Sequence, residues 1–241
     1  MIDLHTHFLP GIDDGAQNLA EALALARAAV ADGITVCAMT PHIHPRRYPN
    51  VKSALLLHLI AFRAALAEHK IPLKIHLGAE VRLSIESLEQ LLEGEVPFLG
   101  EVGGYKIMLL EFPHQMIPVG SQQFVDKLLS MKIRPLIAHP ERNKAVLADP
   151  ERIRPFVDSG CWLQVTAGAV TGNFGAPARK VALRLIENDW VHVLASDSHN
   201  LDARPPVISA ARDVLAQMFG AQTAEQMVSL RPAQILGIDV A

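Results

Sequence analysis

Short runs of nearly unbroken apolar residues alternate along this chain with longer stretches in which apolar side chains return every third or fourth position. The first kind marks strands buried on both faces; the second marks amphipathic helices. Seven blocks read as strands: MIDLHT (1–6), ITVCAMT (34–40), KIHLGAE (74–80), KIMLLEF (106–112), RPLIAH (134–139), CWLQVT (161–166) and VHVLAS (191–196). Between them NLAEALALARAAVADG, SALLLHLIAFRAALAEHK, GSQQFVDKLLSMK and KVALRLIEND carry the helical period, the first of them closing at Gly33. Strand and helix in alternation predict an α/β fold with a parallel sheet, and seven such units predict a distorted seven-stranded relative of the (β/α)8 barrel. No internal repeat or low-complexity linker breaks the pattern, so residues 1–241 are expected to form a single domain.

Barrels of this kind assemble their sites from the carboxyl ends of the strands. The reactive side chains of this chain stand where that rule puts them. His5 and His7 close the first strand, and His42 follows the second in TPH. Glu80 closes the third, Glu111 the fourth, and His139 the fifth in IAHPERN. Asp197 and His199 close the last in ASDSHN. Side chains alternate along an extended strand, so His5 and His7 share a face and their imidazoles can converge on one point.

Composition narrows the function classes. Hydrophobic residues make up 50% of the chain, enough for a sizeable core. A net charge of -3 without a long basic run argues against nucleic acid as the main partner. The one cationic cluster, HPRRYPN (44–50), is too short to track a phosphate backbone, though Arg46, Arg47 and Tyr48 stand beside the expected mouth. The longest apolar stretch is interrupted by Arg27 and Asp32, so no membrane insertion is expected. With the suspected site starting at residue 5, no leader is expected, and Cys37 and Cys161, in apolar runs, are expected to be small core residues rather than a disulfide. These features together point to the cytoplasm.

Plainer readings cover the other polar groups. His58 and His69 belong to a helix surface, and His76 and His192 fall early in their strands, away from the rim. His44 and His114 follow strand ends without a defined role. Asp13 suits the cap of the helix that follows, whereas Asp14 can reach inward. Glu86, Glu89, Glu93 and Glu95 form a charged helix face.

The motifs HTHFLPGIDDGA, TPH, GAE, EFP, AHPERN, LQVTAG and ASDSHNLDARPP, in this order from residue 2 to about 240, resemble the PHP-superfamily metallophosphatases. More narrowly they resemble the bacterial protein-tyrosine phosphatases of the CpsB/YwqE type, linked to capsule and exopolysaccharide synthesis. The resemblance implies a distorted seven-stranded barrel of the PHP type with three divalent metal ions at its mouth. It implies that His5, His7 and Asp197 hold the first ion, with Glu80 bridging to the second. Glu111 and His139 complete the second, and Asp14, His42 and His199 hold the third. Arg142 in HPERN and Arg204 in DARPP match the phosphate-binding arginines of the family. Two departures stand out: TPHIHP lacks adjacent histidines, and Thr166 stands where Asn is expected.

The chemistry is consistent with that set. Four of the nine proposed ligands are carboxylates, about -4 against about +6 for three divalent ions, which leaves charge for a hydroxide and a phosphate monoester. A water bridging such ions loses a proton near neutral pH and supplies the nucleophile. A nitrogen and oxygen donor set without thiolate suits Mn, Fe, Zn or Co, and Mn is the expectation. The chemistry reaches hydrolysis of a phosphate monoester; the resemblance implies that the substrate is phosphotyrosine, with the tail of a polysaccharide-synthesis tyrosine kinase as the protein that carries it. Alternatives are a small-molecule phosphatase acting on a compound such as histidinol phosphate, an amidohydrolase-like enzyme cleaving C–N bonds, and a non-catalytic metal-stabilised scaffold.

Overall fold

The computed structural model describes residues 1–239. Its strands are β1 (Ile2–Thr6), β2 (Val36–Met39), β3 (His42–Ile43), β4 (Lys74–Leu77), β5 (Glu80–Arg82), β6 (Gly100–Val102), β7 (Tyr105–Glu111), β8 (Ile133–Ala138), β9 (Trp162–Thr166) and β10 (Val191–Ala195). All pair in parallel except β6 with β7, so the expected α/β fold with parallel strands is what the chain forms.

The seven expected blocks are all extended, yet they divide between two sheets, β1-β2-β4 and β10-β9-β8-β7-β5-β3, with β6 added on β7. Two interrupted blocks account for the division. ITVCAMT stops at Met39, and the chain pairs again at His42 beyond Pro41, which has no N–H for a ladder. KIHLGAE stops at Leu77 and restarts at Glu80, after Gly78. The strand before each interruption joins the first sheet and the strand after it the second. On the opposite side, β1 meets the segment that follows β10. The His7 N–H donates to the Ser198 carbonyl at 2.9 Å, and the Asp197 N–H to the His5 carbonyl at 3.0 Å. Buried Asp3 strengthens this seam by accepting from the Ser196 N–H and hydroxyl. Among the described residues, then, two sheets meeting at two kinks and one seam stand in place of the single closed ring expected.

Apolar packing follows from the alternation. Leu4, Ala38, Leu109, Leu136 and Val193 fill the space enclosed by the strands, and Ala233 and Ile235 near the chain end join that cluster. Cys37, Ile137, Leu163 and Val165 belong to the larger layer between strands and helices. Both cysteines are buried and free, as expected. The helix Leu19–Ala31 buries Ala22, Leu25, Ala26 and Ala29 on one stripe. Its cap is Asn18, which accepts from the Glu21 N–H, so the expectation that Asp13 caps this helix is replaced. The expectations also leave out β6, whose short hairpin turns at Gly103 and Gly104, both with positive φ. They leave out the helices Ser209–Phe219 and Arg231–Leu236 too. No helix among the described residues is long and apolar enough to cross a membrane.

The amino ends of the later strands form a separate layer. Arg134 places its guanidinium 4.6 Å from the Tyr105 ring centre and 4.7 Å from that of Trp162. The His192 ring stacks on the Trp162 indole, with the ring centroids 4.8 Å apart. Burial, then the nearby Arg231, pushes the His192 imidazole down to about 4.

Candidate metal centre

The nine side chains that the motifs single out reach one end of the strands. A register shift in the β1–β2 pairing between Asp3 and Thr6 falls at His5, and shifts of this kind re-aim side chains. His7 lies just past β1, in a loop that turns back on itself so closely that a Cβ on Gly15 would sit 2.0 Å from the His7 carbonyl oxygen. Only glycine fits there. His139 and Asp197 leave β8 and β10 in the left-handed region, with φ of 33° and 53°. Non-glycine residues seldom hold that conformation unless the surrounding structure imposes it.

Hydrogen bonds decide which atoms face inward. His5 meets the Gln164 side-chain oxygen through Nδ1 at 2.8 Å, and His7 meets Asp13 through Nδ1 at 2.7 Å. In the neutral imidazole each Nδ1 therefore donates, which leaves the Nε2 lone pairs bare. Those two Nε2 atoms stand 3.2 Å apart. His5 Nε2 is 3.2 Å from both Glu80 Oε2 and Asp197 Oδ1, and His7 Nε2 is 3.4 and 3.5 Å from the same oxygens. Neither oxygen has a hydrogen-bond partner. Four acceptors facing one another in a dry site lack only positive charge, and a divalent cation fits that need.

The neighbouring groups repeat the pattern. His199 donates through Nδ1 to the Asp197 carbonyl at 2.9 Å, so its unpartnered Nε2 is also a lone pair. Asp14 Oδ1 lies 3.5 Å from that atom and 3.2 Å from His42 Nε2. His42 Nδ1 lies 3.0 Å from Glu80 Oε2. Ligand atoms within 4.8 Å of one another form three sets: His5, His7, Glu80 and Asp197; His7, Asp14, His42 and His199; His42, Glu80 and Glu111. His7, His42 and Glu80 each belong to two sets, so the sets adjoin. One grouping by distance differs from the ligand set that the resemblance implies: His42 lies with Glu80 and Glu111, and His139 Nε2 contacts the other Glu80 oxygen at 2.7 Å.

Protonation follows the same field. Burial works against a charged His42, yet Glu80 and Asp14 lift it to about 10. His5 and His7 also rise despite burial, drawn by Glu80 and Asp197 in one case and by Asp13 in the other. Burial and the Arg142 charge push His139 down to about 4, and burial with His7 does the same to His199. Glu80 and Asp197 stay ionised against their burial because imidazoles surround them. Burial and the charge of Glu80 raise Glu111, although Arg82 holds its Oε1 at 2.9 Å.

Above these groups opens a cavity of about 350 Å³, whose outer wall includes Arg47, Arg82, Arg142, Arg204, Tyr48 and His114. Arg142 pairs with Asp197 Oδ2, and Arg204 reaches Asp14 at 3.7 Å and Asp197 at 3.8 Å. Arg47 lies over the Tyr48 ring, while Arg46 turns away to pair with Glu86. His44 and His114, given no role above, both line the cavity; His114 Nε2 is 3.4 Å from Arg142. Thr166 donates its N–H to the buried Glu141, and its hydroxyl has no partner. Sequence reasoning missed Asp13 and Gln164 as supports of the two histidines. Gln164 had a signal, being the lone amide in an otherwise apolar strand. Asp13 had none, since capping explained it equally well.

Fold and site together define an α/β protein built around a candidate polynuclear metal centre at the carboxyl ends of parallel strands. Residues 1–237 match the family "Capsular polysaccharide synthesis, CpsB/CapC", and the chain belongs to it. It is 34% identical over 222 residues to the tyrosine-protein phosphatase YwqE of Bacillus subtilis (strain 168), covering 92% of this chain and 86% of that protein. It is 31% identical over 245 residues to the tyrosine-protein phosphatase CpsB of Streptococcus pneumoniae, covering 98% of each. A solved structure from work on YwqE and CpsB, described as metal-dependent tyrosine phosphatases, superposes with a TM-score of 0.91 over all of this chain and 96% of that one, at 31% identity.

Proposed function

We propose that this chain is a cytoplasmic, metal-dependent phosphotyrosine phosphatase that regulates polysaccharide synthesis, with a tyrosine kinase tail as its protein substrate. Residues 1–241 act as one domain, and the two sheets represent an opened form of the distorted seven-stranded PHP barrel. The observation that carries the reading is the nest of bare acceptors at His5, His7, Glu80 and Asp197 lying directly beneath Arg142 and Arg204. The family membership and the phosphatase relatives support it.

His5, His7, Glu80 and Asp197 would hold one divalent ion, Asp14, His42 and His199 another, and Glu80, Glu111 and His139 or His42 a third; Mn suits this donor set, as do Fe, Zn and Co. Metal held by these residues would supply a water ionised near neutral pH and offset phosphate charge. The protein's own part is positioning. Arg142 and Arg204 present forked donors to the non-bridging phosphate oxygens, and their tethers to Asp197 and Asp14 hold them over the nest. The Phe174 ring, 4.7 Å from the Arg142 guanidinium, supports that arginine by a cation–π contact. Tyr48 and His114 line the outer wall, where the aryl group of the ester leaves. Tyrosinate, with a pKa near 10, departs more readily than an alkoxide.

The test is turnover of a phosphotyrosine peptide, an aryl phosphate and histidinol phosphate by protein loaded with Mn, beside metal analysis. Three ions per chain and preference for the peptide are expected; preference for histidinol phosphate selects the small-molecule alternative. Replacing Arg142 and Arg204 together by Ala should lower phosphatase kcat/KM by at least about 10²–10³, the usual cost of losing one such donor, with metal content retained. A C–N hydrolase using the same centre would keep its rate.

A further inference from the structure

Beside the metal-centre cavity lies a second hollow of about 160 Å³. Arg204 lines both, so a single side chain forms the ridge between them. The hollow is walled by two segments that the metal ligands do not explain, 168–174 and 203–210. The first follows Thr166 in the sixth strand motif, and the second contains the prolines after Arg204.

Each wall is built for closeness. A Cβ on Gly168 would stand 2.8 Å from the Phe174 ring, so the ring packs onto bare backbone. The opposite wall is Pro205, Val207 and Ala210. The hydroxyls of Thr171 and Ser196 are engaged by the Ala167 carbonyl and by Asp3. Beside Arg204, that leaves Asn173 as the polar group of an otherwise apolar hollow. The same Phe174 lies 4.7 Å from the Arg142 guanidinium, so one ring contacts that arginine and lines the hollow that Arg204 also borders.

With the phosphate at Arg142 and Arg204 and the aryl ring against the outer wall, a simple aryl phosphate ends in the first cavity, whereas the main chain of a peptide continues past it and can cross the Arg204 ridge. We propose that the hollow is a peptide subsite: it takes an aliphatic side chain next to the phosphotyrosine, and the Asn173 amide bonds the peptide main chain. This rests on the phosphotyrosine reading above. Apolar walls favour Leu, Val or Met there, leave glycine without contacts, and penalise a carboxylate that would lose its water.

The experiment compares kcat/KM of the Mn-loaded enzyme on para-nitrophenyl phosphate and on phosphotyrosine peptides that differ only in the residue before or after the phosphotyrosine: Gly, Leu or Asp. At one of those positions Leu should exceed Gly by about tenfold or more, the usual discrimination of an apolar pocket, and should exceed Asp further. Ala210 is exposed on the helix Ser209–Phe219, so Ala210→Leu fills the hollow without touching the core. In that variant the Leu-to-Gly ratio should fall toward unity; taking the ratio within one enzyme cancels any change in overall turnover. Asn173→Ala should raise KM for every peptide relative to para-nitrophenyl phosphate. Equal rates for the three peptides, or a Leu preference that survives Ala210→Leu, overturn the subsite while para-nitrophenyl phosphate is still hydrolysed. Absence of turnover on all substrates overturns the phosphatase reading, and the subsite with it.

Discussion

At the amino ends of β7 to β10, Arg134 lies between Tyr105 and Trp162, and His192 stacks on the same indole. At the carboxyl ends of those strands Glu111, His139 and Asp197 face more imidazoles and carboxylates, several of them without any partner. Both ends bring polar groups against one sheet, but in opposite ways. At the amino end the Arg134 charge meets the negative faces of two rings, although Arg134 Nε and His192 Nδ1 have no hydrogen-bond partner. At the carboxyl end acceptor meets acceptor, an arrangement that a cation would relieve. The amino end thus answers its charge within the chain and needs no added cation, whereas the carboxyl end gathers negative and lone-pair groups that the chain's own cations do not fully answer.

The comparison breaks most visibly on removing metal. Ions present at about 100 times their Kd stabilise the folded state by about 2.7 kcal/mol, or about 5–11 °C in melting temperature for a domain of this size. Chelation should therefore lower the Tm of loaded protein by that order, and Arg134→Met should lower the Tm without changing the chelator-induced difference. A Tm indifferent to chelator would mean that the carboxyl end needs no added cation either. A smaller effect is expected one bond further out. Asp13→Ala removes the carboxylate that fixes the His7 tautomer, and loss of such a partner weakens metal binding by about 10–100-fold. Titration of the metal-free variant with Mn, followed by calorimetry, measures it; wild-type affinity would show that Asp13 does not orient His7.

The smallest effect sharpens the amino end. His192 is held near 4 in the folded protein against an ordinary value of 6.5, so the unfolded chain binds the extra proton between those values. Its contribution is present above pH 6.5 and is lost as pH falls from 6.5 toward 4. His192→Phe keeps a ring against Trp162 and removes the titration. Unfolding followed from pH 8 to pH 4 should show a shallower decline in the variant below 6.5, with parallel curves above it. A variant as acid-labile as the parent would assign the decline to other groups.

Much of this comparison was legible from residue order alone. The seven apolar blocks became strands, and each His, Asp or Glu placed at a block's end arrived at the same rim. That works because a parallel strand buried on both faces leaves a polar residue few places except its end. The division into two sheets was not legible. It depends on how Pro41 and Gly78 interrupt ladders whose partners come from elsewhere in the chain. Asp13 was misread for a related reason: a carboxylate before a helix has a sufficient local explanation, and only the fold shows that Asn18 had taken that task.

Residue types and their spacing determined that parallel strands form, where they end, and that the ends carry an excess of lone pairs over protons. Pairing decided the rest. Which nitrogen of His5 or His7 faces inward depends on Gln164 and Asp13, and whether His42 or His139 completes the Glu111 set depends on distances across strands. Local sequence sets the chemistry a residue can offer, but the direction in which it is offered is fixed by hydrogen bonds to residues distant along the chain, and those exist only once the strands have met.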